Sequence, residues 1–181
     1  MKTIMQSITK RLATLLLLVV AMIIPQLANA VIEKPSKGNG TKESPYLIEN
    51  YNNFHWFFNE VNKNENGGIC AKLMNNITLQ SASTNYEVIG TYEHPFWGEF
   101  DGNNKTISGV NLGNIVGYGN YYSYAGGVFG CIKVPSGTTA VVKNLTVEGK
   151  VNIQVQNGVY YIGGVIGIAY GDVNLSNIIS K

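Results

Sequence analysis

Arginine and aspartate are almost absent from this sequence. Arg11 is the single arginine, and Asp101 and Asp172 are the only aspartates. From Val31 onward, 10 Lys stand against 11 Asp plus Glu, a net charge of −1. Bidentate recognition of phosphate or carboxylate favours Arg, and affinity for a nucleic-acid backbone needs clustered cations. The sequence therefore indicates no nucleic-acid partner.

Cysteine and histidine are also scarce. Cys70 and Cys131 each lie in an apolar run, where a thiol behaves as a small hydrophobe, so we predict buried free thiols over the alternative of a disulfide. No pair of cysteines has the spacing of metal ligands, and His55 and His94 stand alone in the sequence. We expect no metal and no cofactor.

A hydrophobic run long enough to span a membrane is missing. Lys2, Lys10 and Arg11 precede the uncharged run 12–24, and Ala28-Asn29-Ala30 has the small-residue pattern of a cleavage site. A membrane anchor is the alternative, but a span needs about 20 apolar residues. The sequence predicts a signal peptide at 1–30, cleavage after Ala30, a secreted or cell-surface location and no transmembrane span in the mature chain.

The remaining chain divides into a polar flexible leader, 31–44, and one domain, 45–181. A short strand at 45–48 precedes a predicted helix near 52–62, where Phe54, Phe57, Phe58 and Val61 repeat at helical spacing. The later runs are short and strand-like, separated by Gly, Asn, Ser and Pro. These runs are 69–73, 77–79, 87–89, 96–100, 106–112, 127–134, 140–147, 151–155, 159–168 and 173–179.

An internal repeat lies within these strands. The sequence AGGVFG at 125–130 returns 37 positions later as IGGVIG at 162–167, and each copy is followed by an Asn-centred apolar run, VKNL and LSNI. Repeats with periods of 20 to 50 residues indicate stacked units that cover one another's apolar faces. We predict structural roles for Gly126, Gly127, Gly163 and Gly164, through close backbone approach, and for Asn144 and Asn177, through hydrogen bonds to the backbone at turns.

The stretch PFWGEFDGNNKTISGV at 95–110, the two GGVxG copies and NLTVEG at 144–149 resemble the GLUG-motif repeat proteins of bacteria. The resemblance covers residues 40–181, with GLUG-like repeats near 125–150 and 162–181. It implies an all-β, right-handed parallel β-helix on secreted or surface proteins, including adhesin-like proteins and non-catalytic regions of immunoglobulin A peptidases. It supplies no catalytic residues.

A β-helix exposes strand edges and an apolar interior at each end. We therefore interpret the helix near 52–62 as an N-terminal cap in which Phe54, Phe57 and Phe58 contact the core. At the other end we expect either a continuation of the chain or a partner.

Glu99 and Asp101 form the strongest candidate for catalysis. Two residues apart on a strand, they would share a face as an acid pair, and Asp172 is a third candidate acid. The alternative, which we favour, is a turn at 101–103 in which Asp101 bonds its own backbone and Gly102 accepts a positive φ. The sequence therefore favours a protein without catalytic residues.

Aromatic side chains are the better candidates for binding. Tyr118, Tyr121, Tyr122 and Tyr124 cluster in a Gly-rich insertion, and Trp97 lies elsewhere, as do Tyr92, Tyr160, Tyr161 and Tyr170. Such rings stack on sugars or fill protein pockets, although they also cover cores at corners. We expect an adhesin-like module that binds a glycan or a host or cell-surface protein. The alternatives are a polysaccharide-degrading β-helix enzyme and an accessory region of a larger secreted protease.

Overall fold

Strands dominate the computed structural model, which describes residues 32–79, 88–111, 123–150 and 159–181. The predicted signal peptide and the run 151–155 lie outside these ranges. The described part contains one helix, α1 (Tyr51–Lys63). Its strands are β1 (Tyr46–Ile48), β2 (Ala71–Leu73), β3 (Ile77–Thr78), β4 (Glu99–Asn111), β5 (Ser123–Gly126), β6 (Phe129–Lys133), β7 (Ala140–Lys150), β8 (Val159–Ile162), β9 (Ile166–Tyr170) and β10 (Val173–Ser180).

The strands pair in parallel and form three sheets. The largest has the order β1-β2-β4-β7-β10, and β3 pairs with β4. The second contains β5 and β8, and the third contains β6 and β9. Single bridges from Ile89 to Phe129 and from Phe96 to Ile132 extend the third sheet. The protein is thus mostly β, and the described strands are parallel.

Helix α1 begins and ends about one residue beyond the predicted limits. The Asn50 side chain accepts a hydrogen bond from the backbone N–H of Asn53 at 2.9 Å, which caps the first turn. Phe54, Phe57 and Val61 are buried on one face. Phe58 is only partly buried and lies against His55, with ring centroids 5.8 Å apart. Of the three phenylalanines predicted to contact the core, Phe54 and Phe57 are in the buried core cluster and Phe58 lies outside it.

Five phenylalanine rings form the centre of the core. Phe57 of α1 lies 6.1 Å from Phe96 and 5.7 Å from Phe100, measured between ring centroids. Phe129 lies 5.2 Å from Phe96 and 5.4 Å from Phe100. These rings and Phe54 are at most 1% exposed. Through Phe57 the helix is therefore packed against side chains of two different sheets.

Residues 32–44 are part of the fold. The backbone N–H of Leu47 in β1 donates to the carbonyl of Lys37 at 3.1 Å, and the N–H of Cys70 donates to the carbonyl of Gly40 at 2.8 Å. Buried strand edges need hydrogen-bond partners, and this segment supplies them. The structure thereby corrects the prediction of a separate flexible leader, which was based on polar composition alone.

Two predicted strand limits also change. The predicted runs 96–100 and 106–112 are joined in the structure, since β4 continues from Glu99 through the intervening turn residues to Asn111. The predicted run 159–168 is divided into β8 and β9 at the second GGV sequence. Within the described ranges, no helix has the length and apolarity needed to cross a membrane.

Candidate functional site

An exposed group of rings lies where the third sheet ends. Tyr170 closes β9, and its register partner Lys133 closes β6. Phe96 and Ile132 form a parallel bridge. Trp97 and Lys133 are the next residues of the two segments, so they lie at the same level. We call Tyr92, Trp97, Lys133 and Tyr170 the ring face. Parallel pairing places Lys133 and Tyr170 side by side on β6 and β9, and Trp97 follows the isolated bridge at Phe96.

The ring face is open to solvent, and three of its members, Tyr92, Lys133 and Tyr170, are in contact. The Tyr92 and Tyr170 rings are edge to face, with centroids 6.5 Å apart and planes at 78°. The Lys133 Nζ lies 5.4 Å from the Tyr92 ring centroid, a cation–π distance. Tyr92 is 65% exposed, Tyr170 43% and Trp97 38%. Two large exposed rings in contact with each other and with a cation form a surface suited to binding.

The environment of Tyr170 keeps its phenol neutral. Desolvation raises the pKa of Tyr170, and the nearby Tyr161 and Tyr92 phenols add smaller upward contributions. The Tyr170 hydroxyl can therefore both donate and accept hydrogen bonds. The cation of Lys133 is the charged member of the ring face.

The indole of Trp97 is held in place by two glycines. The Trp97 backbone N–H donates to the carbonyl of Gly67 at 2.7 Å. A Cβ atom on Gly68 would overlap the Trp97 ring, so the ring lies directly over the backbone there. This packing fixes one edge of the indole while over a third of the residue stays exposed.

The predicted tyrosine cluster is mostly outside the described residues. Tyr118, Tyr121 and Tyr122 lie in the undescribed range 112–122. Tyr124 is in β5, where its register partner is Tyr160 of β8. Trp97 is the one predicted binding residue whose side chain is described. Lys133, which sequence reasoning missed, has no motif around it and is identified only by its position over Tyr92.

Asp101 lies at an irregularity within β4, where the pairing with β7 shifts register. Its Oδ1 accepts a hydrogen bond from the backbone N–H of Asn103 at 2.8 Å and another from the Asn144 side chain at 3.1 Å. The positive φ values belong to Asn103 (50°) and Asn104 (57°), and Gly102 has none. A Cβ on Gly102 would lie 2.7 Å from Leu145 Cα on the neighbouring strand. The predicted bond from Asp101 to its own backbone is present, but the chain continues as a strand where a turn was expected, and Gly102 provides close approach.

Glu99 forms an ion pair across β4 and β7. The Lys143 Nζ donates to Glu99 Oε1, and this hydrogen bond raises the pKa of Lys143. Both side chains are partly buried, at 33% and 23% exposure for Lys143 and Glu99. Glu99 and Asp101 thus form hydrogen bonds with different side chains, Lys143 and Asn144. The Asp101 charge also acts on Lys143, its register partner, and adds to the raised pKa of Lys143.

Asn144 and Asn177 bond to side chains, which corrects the prediction that they bond to the backbone. Asn177 Nδ2 donates to the Oδ1 atoms of Asn104 and Asn144, both at 3.1 Å. The three residues lie on the neighbouring strands β4, β7 and β10 and all have positive φ, between 52° and 57°. We call Asn104, Asn144 and Asn177 the asparagine ladder. It fixes a bend at the same level of three strands.

The repeat glycines lie where backbones meet. A Cβ on Gly127 would lie 2.8 Å from the carbonyl oxygen of Val165 in the second copy, and one on Gly164 would overlap the Ser180 side chain. A Cβ on Gly163 would overlap the carbonyl of Ile166 within its own turn, and Gly126 is buried. None of the four has a positive φ. Gly127 thus allows the two repeat copies to approach closely, as predicted, whereas Gly163 is needed within its own turn.

Cys70 and Cys131 are buried and free, as predicted. Burial raises the pKa of Cys131 to about 11 and also raises the pKa of Cys70. Among the described residues, no group of three or more His, Cys, Asp or Glu side chains is arranged to hold a metal ion.

Comparison with known proteins adds no relative. No protein-family model matches the sequence, and neither the curated proteins nor the solved structures compared with it give a significant match.

Proposed function

We propose that this protein is a secreted or cell-surface, non-catalytic, adhesin-like module that binds a glycan or a host or cell-surface protein through the ring face. The observation that carries the proposal is the exposed edge-to-face pair of Tyr92 and Tyr170 with the Lys133 cation over Tyr92. Aromatic faces stack on the apolar faces of sugars, while phenol and ammonium groups hydrogen-bond to hydroxyl and carboxylate oxygens. The predicted signal peptide supports an extracellular setting.

We also propose that the parallel strands form a right-handed parallel β-helix with α1 as its N-terminal cap. Supporting this, β5, β6 and β7 pair in the same chain order with β8, β9 and β10. Each passage of the chain thus has the preceding passage as its neighbour, the arrangement that stacked repeats require. The resemblance to the GLUG-motif proteins supports the same architecture. In such a fold the ring face would lie on a lateral surface, accessible to a large ligand.

The carboxylates give less support to the alternative of a polysaccharide-degrading enzyme. That function requires Glu99, Asp101 or Asp172 to act on a substrate. Asp101 accepts two hydrogen bonds within its turn region, and Glu99 is paired with Lys143. A general acid or base must reach the reacting group, and these contacts hold both side chains in structural roles. Ligand binding through the ring face is therefore better supported than polysaccharide degradation.

The ring face is tested by replacing its two contacting tyrosines. Binding of the Tyr92→Ala/Tyr170→Ala variant to a glycan array and to intact cells is compared with that of the unmodified protein. We expect about a tenfold or greater loss of affinity for any ligand that the unmodified protein binds, since truncating an aromatic anchor removes much of the binding energy. Unchanged affinity would refute the ring face as the binding site.

The matched control is Met74→Ala, which removes an exposed apolar side chain (36% exposed) next to β2, in a different sheet. This variant is expected to bind normally. Circular dichroism and thermal unfolding of all variants show whether the fold is preserved. If Met74→Ala lost as much affinity as the double variant, the effect would not be specific to the ring face.

A further inference from the structure

The last described strand leaves core-facing apolar side chains uncovered. Val173, Leu175 and Ile178 of β10 are the register partners of the buried Ala140, Val142 and Leu145 of β7. Partners in a parallel pair lie on the same side of a sheet, so the three β10 residues point toward the interior. Yet Leu175 is 52% exposed, and Val173 and Ile178 are only partly buried.

Residues of β8 and β9 complete an apolar surface at this end. Ile162 and Ile166 are partly buried and pack against the same core as Val173 and Ile178. We call Ile162, Ile166, Val173, Leu175 and Ile178 the apolar end face. Within the described residues β10 pairs with β7 alone, so its other edge carries backbone groups available to a new strand. The end face thus combines apolar side chains with an open strand edge.

The sequence of β10 is complementary to itself in the antiparallel sense. Consider two β10 strands that pair antiparallel, with the two-fold axis between Ser176 and Asn177. The residue numbers of each directly opposed pair then add up to 353. Leu175 then faces Ile178 of the second copy, since 175 + 178 = 353, and Asp172 faces Lys181, since 172 + 181 = 353. The other opposed pairs are Val173 with Ser180, Asn174 with Ile179 and Ser176 with Asn177. Each half of the pairing thus has one apolar pair and one pair of opposite charges, both of which stabilise antiparallel strands.

The backbone at Asn177 suits this arrangement. Asn177 has φ 52°, so β10 bends there, next to the centre of the pairing. A two-fold axis through the bend would place each arm of one strand along the opposite arm of the other. No charged residue lies within β10, and exposed Asp172 and Lys181 lie just outside its ends. The charges would therefore remain at the rim, where solvent reaches them.

We propose that two copies of this chain associate through the apolar end face, with their β10 strands antiparallel about a two-fold axis beside Asn177. Each copy uses the same surface, as a closed two-fold dimer requires. The pairing satisfies both open strand edges and covers Leu175 with Ile178 of the second copy. This proposal depends on strand register alone and does not rest on the ring face.

The proposal is tested with the full chain as its host produces it. Analytical ultracentrifugation over a range of concentrations measures its oligomeric state. We expect a dimer whose Kd rises about tenfold or more in the Leu175→Lys variant, which places a charge in the interface. Because Leu175 is half exposed, the variant should keep its circular dichroism spectrum. A monomeric unmodified protein, or a dimer indifferent to Leu175→Lys, would overturn the proposal.

Strand direction is tested by mixing two single variants, Leu175→Cys and Ile178→Cys, under oxidising conditions. The antiparallel register predicts a disulfide between position 175 of one copy and position 178 of the other, which peptide mass spectrometry identifies. The control is a mixture of Leu175→Cys with Met74→Cys, whose substitution lies next to β2. This mixture should not cross-link. Absence of the 175–178 disulfide in a proven dimer would reject this register.

Discussion

At the scale of single residues, asparagine adopts positive φ values of the kind usually expected of glycine. Asn103, Asn104, Asn144 and Asn177 have φ between 50° and 57°, a region that costs most L-residues about 1 kcal/mol or more. Asparagine tolerates this region because its side chain forms local hydrogen bonds. Here the bonds run between strands along the asparagine ladder. Each asparagine therefore serves both the bend and the pairing of neighbouring strands.

The two contributions of Asn144 are separable by substitution. Asn144→Ala loses the hydrogen bonds with Asp101 and Asn177 and adds backbone strain, so we expect a loss of about 2 to 3 kcal/mol in the free energy of unfolding. Asn144→Gly loses only the hydrogen bonds and should be about 1 kcal/mol more stable than the Ala variant. Urea denaturation measures both. Equal stabilities of the two variants would show that the positive φ carries no cost.

At the scale of elements, α1 is stabilised mainly by what it covers. Its 13 residues are near the length at which an isolated helix is marginal in water. Phe54, Phe57 and Val61 are at most 1% exposed, and Phe57 meets rings from two sheets. The helix therefore depends on the strands, and the strands depend on the helix to bury Phe96 and Phe100. Truncating the helix's central ring should weaken the fold as a whole.

Phe57→Ala is expected to lower the free energy of unfolding by about 3 to 5 kcal/mol, since it leaves a cavity among Phe96, Phe100 and the helix. Phe58→Ala is the matched control one position away and should cost much less, because Phe58 is only partly buried. Denaturant midpoints of the two variants give the comparison. Similar losses at both positions would contradict the observed orientation of the helix.

At the scale of the whole molecule, burial affects ionisable groups in both halves of the chain. Cys70 precedes β2 and Cys131 lies in β6, and desolvation raises the pKa of both thiols. The hydrogen bond to Glu99 raises the pKa of Lys143 between β4 and β7. In each case the folded state holds the proton more strongly than the unfolded chain. All three groups therefore favour folding at neutral pH and less so in alkali.

Alkaline pH should accordingly destabilise the protein. Below pH 9 the Cys131 thiol is protonated in both states, whereas between pH 9.0 and about 11 the unfolded thiol ionises first and folding becomes less favourable. We expect the free energy of unfolding to fall over this interval, with a share of up to about 2 kcal/mol from Cys131. Urea unfolding at pH 8 and pH 10.5 measures the change. A Cys131→Ala variant with the same pH dependence would exclude Cys131 as a cause.

The sequence by itself determined those features that depend on neighbours along the chain. The helical spacing of Phe54, Phe57 and Val61 is enough to predict α1, because one face of a helix is a local property. The bond of Asp101 to a backbone N–H two residues away is predicted for the same reason, although the chain there continues as strand β4. Burial of the free thiols follows from the apolar runs around them.

Only the tertiary structure decided which distant residues meet. The register of β4, β7 and β10 aligns the asparagine ladder, and Gly102 packs against Leu145 while the positive φ values lie at Asn103 and Asn104. Likewise, Lys133 of β6 lies over Tyr92, which is 41 positions away in the sequence. Such contacts depend on the pairing of whole strands, a long-range choice that no local pattern specifies.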